Sequence, residues 1–241
     1  MSQKRSLTFY KPSGNHYHSP VDLWCIGRID SRESSLPWLE TYWIGTQGQT
    51  GLGLFLSKLD AQIQCIYMNA SEISVQGKGQ WSVYSFSDLN REEMVKNMKF
   101  NYGKDIFGFS LIFGFSATPN EFIISGNQAL KVLSFHEGYL LDDFLLSGSD
   151  DILVFSQDTF KQISDIWGSI FNDYFLLTNE SNSINKKELL NLSINAFKTL
   201  NYIPIDKTEN EYKDITYVGG YSLFSGWNFT SFHNPIPAEL R

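Results

Sequence analysis

Residues 152–174 read ILVFSQDTFKQISDIWGSIFNDY. The first four are consecutively apolar, a run of the length expected for a strand buried on both faces. Ser156 then opens a helix in which Phe160, Ile163, Ile166, Trp167, Ile170, Phe171 and Tyr174 recur at helical spacing. Gly168 weakens that helix by about 1 kcal/mol relative to alanine, but the apolar stripe continues past it. A strand that feeds directly into an amphipathic helix predicts a chain that mixes sheet and helix.

Downstream, residues 179–185 form a polar linker. Asn185 with Glu188 then makes a helix-starting signature, an N-cap side chain followed three residues later by a carboxylate. Leu189, Leu190, Ile194, Phe197 and Leu200 are expected to form the buried face of that helix. Residues 216–232 read as one or two aromatic strands broken by glycines at 219, 220 and 226.

Upstream, residues 106–135 hold two or three buried strands separated by turn residues at 118–120 and 125–127. Residues 72–76 and 80–86 read as a hairpin around Gly77-Lys78-Gly79. Asn90 with Glu93 predicts a short helix carrying Met94, Val95 and Met98. Ser57 with Asp60 predicts another, with Leu59, Ile63, Ile66 and Tyr67 inward. Residues 45–51 read as a glycine-rich loop and residues 52–56 as a short strand. Residues 38–44 are aromatic and leave the element type open. Residues 21–29 alternate, with Val21, Leu23, Cys25 and Ile29 on one side and Trp24, Ile26 and Arg28 on the other, and read as a strand buried on most of both faces. The fold expected is α+β: a mainly antiparallel sheet packed with three or four helices. It forms one globular domain over 1–241, or two tightly packed lobes meeting near residue 100.

Composition agrees with a globular chain: 241 residues, 42% hydrophobic and 19% charged. Nineteen Phe, twelve Tyr and six Trp supply large side chains for cores and for interfaces. The two cysteines, Cys25 and Cys65, each lie in apolar surroundings and read as free buried thiols. Basic residues near the N-terminus are not followed by an apolar run, and no segment approaches the roughly 20 apolar residues of a membrane helix. A cytoplasmic location is therefore expected. The Asn-x-Ser/Thr sites at Asn69, Asn179, Asn191 and Asn228 have no glycosylation meaning in that setting.

Chemistry-bearing motifs are missing. A nucleophile elbow needs glycine two residues after the serine, and none of Gly108-Phe109-Ser110, Gly114-Phe115-Ser116 or Gly220-Tyr221-Ser222 has it. No phosphate-binding loop occurs, and Gly48, Gly51 and Gly53 are misspaced for a dinucleotide turn. His16, His18 and Asp22 could line one side of an extended segment, but they sit in a proline-bracketed loop without cysteine and read as solvent-exposed. His136 beside Glu137, and His233, are isolated. The carboxylate pairs Asp142-Asp143 and Asp150-Asp151 each offer at most one inward group on a strand, too little alone for paired-carboxylate catalysis. No cofactor and no metal is expected.

One feature stands out. Between residues 134 and 180 the acids are Glu137, Asp142, Asp143, Asp150, Asp151, Asp158, Asp165, Asp173 and Glu180, against the single base Lys161. Nine carboxylates less one lysine give −8, while the whole chain carries −7. On the helix after Ser156, Asp158 and Asp165 fall opposite Phe160 and Trp167, so they are expected to face solvent. A concentrated negative face suits a basic partner and repels a phosphate backbone; the 19 Lys and Arg are scattered rather than clustered. The expected function is a non-enzymatic protein-binding protein. Its most specific form is an immunity-type inhibitor that masks a basic toxin or effector in the cytosol. The expected contact residues are Asp142, Asp143, Asp150, Asp151, Asp158 and Asp165. The alternatives are a hydrolase-like enzyme whose site gathers distant residues, the candidates being His136, Glu137 and the pairs Asp142-Asp143 and Asp150-Asp151, and a structural or assembly component. Neither nucleic acid nor membrane is expected as a partner.

Overall fold

The structure is a computed structural model that describes residues 16–17, 22–31, 38–46, 49–72, 76–89, 106–140, 155–170, 183–207 and 215–233. In chain order the strands are β1 (His16–Tyr17), β2 (Trp24–Asp30), β3 (Trp38–Thr41), β4 (Trp43–Thr46) and β5 (Gln49–Phe55). Helix α1 (Lys58–Ser71) follows, then β6 (Ser82–Ser85), β7 (Ile106–Ala117), β8 (Ile123–Ser125), β9 (Val132–Leu140) and β10 (Phe155–Ser156). The remainder is α2 (Gln157–Ile170), α3 (Lys186–Lys198), β11 (Tyr202–Pro204), β12 (Ile215–Ser222) and β13 (Gly226–His233). No described helix is long and apolar enough to cross a membrane.

The fold is α+β. Eleven strands form one mixed sheet whose backbone order is β11-β8-β7-β5-β2-β3, with β4, β6, β9, β12 and β13 attached along it; β1 and β10 form a separate pair. Strands from both sides of residue 100 share this sheet, since β5 lies directly beside β7. Most ladders are antiparallel, as expected, but β5–β7 and β11–β8 are parallel. The β5–β7 connection contains α1, the kind of long crossover that parallel neighbours require. Among the described residues there are three α-helices. The expected helix after Asn90 lies outside the described residues.

Two local expectations are corrected. The predicted hairpin of residues 72–76 with 80–86 is replaced by a longer-range pairing: Glu72 caps the end of α1, and β6 pairs with β2, Trp24 against Ser85 through Gly27 against Ser82. Residues 73–75 lie outside the described residues. The segment read as a loop at 45–51 largely belongs to strands, because β4 pairs with β5 from Trp43–Leu52 to Thr46–Gln49. Glycine content suggested a loop, yet Gly51 is needed for close approach within the sheet. A Cβ there would stand 2.8 Å from Ser110 Oγ and 2.9 Å from the His136 ring.

Both faces of the sheet are covered. Leu52, Leu54, Phe109, Leu111 and Val218 meet Ile163, Ile166 and Trp167 of α2 in one cluster. On the opposite face Ile26, Phe55 and Ile112 pack on Ala61, Cys65 and Met68 of α1. Beside them, Leu59, Ile63 and Tyr67 of α1 pack with Leu189, Ala196 and Leu200 on Phe115 and Ile123. A strand with helices on both sides must be apolar on both sides, which is why β7 is a continuous apolar run rather than an alternating one.

The helix starts follow their sequence signatures. Ser57 Oγ accepts the Asp60 amide at 3.2 Å, and Asn185 Oδ1 accepts the Glu188 amide at 3.0 Å. The buried face of α3 is shifted from the one expected. Leu189, Ser193, Ala196 and Leu200 are buried, whereas Leu190 is exposed. Small residues at 193 and 196 let α3 lie close to its neighbours, and the buried Ser193 hydroxyl is satisfied by donating to the Leu189 carbonyl at 2.7 Å. Cys25 and Cys65 are free and buried, and burial raises both thiols, Cys25 to about 12.

Candidate functional site

The expected acidic face can be followed on α2. Ile163, Ile166 and Trp167 turn into the core, and Lys161, Ser164 and Asp165 are exposed. Asp165 therefore faces solvent, as the helical spacing predicts, four residues beyond Lys161. Asp158 falls in the first turns of the same helix, its side chain outside the described residues. Asp142, Asp143, Asp150 and Asp151 lie outside the described residues, as do the side chains of Glu137 and Phe160.

Two other groups of polar side chains are brought together by the fold, and a third site buries a single carboxyl group; none is evident from local sequence. The first surrounds Arg28. Arg28 lies on β2 beside β3, and its side chain is only 6% exposed. Nε donates to Glu40 Oε2 at 2.7 Å and Nη2 to Glu40 Oε1 at 3.2 Å, a bidentate pair across the β2–β3 ladder. Nη1 donates to Glu72 at the end of α1, and the guanidinium carbon sits 4.3 Å from the centre of the Trp81 ring. Lys78 adds a bond to Glu40 at 2.8 Å and approaches Asp30 at 3.8 Å. Burial works to raise Glu40, but the hydrogen bonds from Arg28 and Lys78 outweigh it and hold it below the usual carboxylate range. The bond from Arg28 does the same for Glu72, against burial and with help from the Trp81 indole N–H. Three carboxylates and two cations thus neutralise one another to within a single charge. This geometry clamps β2, β3 and α1 together and commits all three guanidinium nitrogens to carboxylates of the same chain.

The second group is Ser110 with His136. They are directly opposite on β7 and β9, and Ser110 Oγ stands 3.2 Å from His136 Nδ1. Burial holds His136 below its ordinary value, so at neutral pH the uncharged ring can accept the serine proton. The same two residue types make a nucleophile and base in hydrolases. Here Ser110 is 1% exposed, so an electrophile has no approach to Oγ, and the pair works as a cross-strand hydrogen bond.

The third is Asp60, whose carboxyl group is buried. Burial raises it from its ordinary 3.8 to about 7. The folded state therefore binds this proton more tightly than the unfolded chain, and stability attached to it falls as pH rises from about 4 to about 7. Asp60→Asn should stabilise the protein, by little at pH 4 and by on the order of 2–4 kcal/mol at pH 8. Urea unfolding midpoints across that range provide the check; a gain that ignores pH would mean that Asp60 is not held protonated in the fold.

Among the described residues no three His, Cys, Asp or Glu side chains are placed to hold a metal ion. Asp22 is exposed, and His18 lies outside the described residues. The chain matches no family model, no curated protein and no solved structure. Its function must be argued from its own residues.

Proposed function

We propose that the protein is a non-enzymatic protein-binding protein, most specifically an immunity-type inhibitor that masks a basic toxin or effector in the cytosol. The observation that carries the reading is charge segregation: a net −8 within residues 134–180 of a chain whose total is −7. The orientation of α2 supports it, because the helix buries its apolar side and turns Asp165 outward. Asp142, Asp143, Asp150, Asp151 and Asp158 belong to the same stretch and would complete the surface. A field of one sign speeds encounter with a partner of the other sign and sets its register.

The test is kinetic. The chain is used to capture its partner from the native host, and association is then followed by surface plasmon resonance at several salt concentrations. Charge reversal at Asp150, Asp151 and Asp165 to lysine should slow association by about tenfold or more at low salt, within the range that electrostatic steering supplies. The salt dependence should flatten, while dissociation and folding change little. An association rate indifferent both to salt and to these reversals would sink the proposal.

A further inference from the structure

We draw no further inference here: the strongest candidate, the apolar surface that Phe122, Tyr202 and Ile205 expose around β8 and β11, carries nothing because nothing in the structure shows what covers it.

Discussion

Trp167→Ala should destabilise the protein by about 3–5 kcal/mol, the range for removing a large aromatic from a packed core. Trp167 is among the largest fully buried side chains and lies in the cluster that joins α2 to the sheet. Its polar end is equally committed. β7 and β9 slip register between Ile112 and Gly114, which makes Phe113 the extra residue of a bulge. A bulge leaves a backbone group outside the ladder. The Trp167 indole N–H donates to that Phe113 carbonyl at 2.8 Å. Alanine would thus open a cavity and orphan a buried acceptor at once. Trp167→Phe separates the two costs, since it keeps most of the apolar volume and loses only the hydrogen bond, about 1–3 kcal/mol. Chemical denaturation of both variants gives the comparison. If Trp167→Ala unfolds at the wild-type midpoint, α2 is not docked through this side chain.

Arg28→Ala should cost about 3 kcal/mol, toward the lower end for breaking a buried pair because Glu40 and Glu72 keep some solvent contact. The loss comes less from the missing attraction than from what remains. Without the guanidinium, Lys78 is left to offset the charge of Glu40, Glu72 and Asp30. Neutralising the stranded carboxylates should therefore recover part of the loss, so Arg28→Ala with Glu40→Gln and Glu72→Gln should be more stable than Arg28→Ala by itself. The pH dependence has a fixed sign. Both glutamates are held below their ordinary value, so their contribution is present at neutral pH and is lost as pH falls through the range of their folded titration. Arg28→Ala should flatten that acid limb. A variant that keeps both the wild-type stability and the wild-type acid limb would show the network to be ornamental.

What could be read from the sequence was local. Ser57 and Asn185 announce their helices because a cap and its partner are three residues apart, and the α2 stripe is visible because helical periodicity needs no partner to be seen. Cys25 and Ile26 face opposite clusters, as the alternation of that segment requires, while Ile29, expected on the side of Cys25, is exposed. Pairing was not legible. That β6 lies against β2, or that β5 runs parallel to β7, depends on residues dozens of positions away, and alternation names a face but never a neighbour. The same limit hid the Arg28 network: Glu40, Glu72 and Lys78 are ordinary surface residues until the strands bring them to one guanidinium. Leu190 and Ser193 exchanged places because burial on α3 is decided by how closely another helix approaches, not by hydrophobicity alone. Of the acidic residues expected to make contacts, Asp165 is exposed where its helical position requires it, since one turn of helix fixes its direction.

The placing of β12 has a further consequence for how the chain is made. β12 lies against β7 through Tyr217–Ala117, Val218–Ser116 and Gly219–Phe115. Val218 shares a core cluster with Leu23 and Cys25, nearly two hundred residues earlier. At synthesis rates of roughly 5–20 residues per second, about 10–40 s separate the appearance of those partners at the ribosome. For about half of that time β7 has been made and β5 and β9 can pair with it, while Phe115 to Ala117 still lack β12 as a neighbour. The apolar corner where Val218 meets β7 is thus assembled late, and a nascent chain waiting for β12 shows that corner to its surroundings.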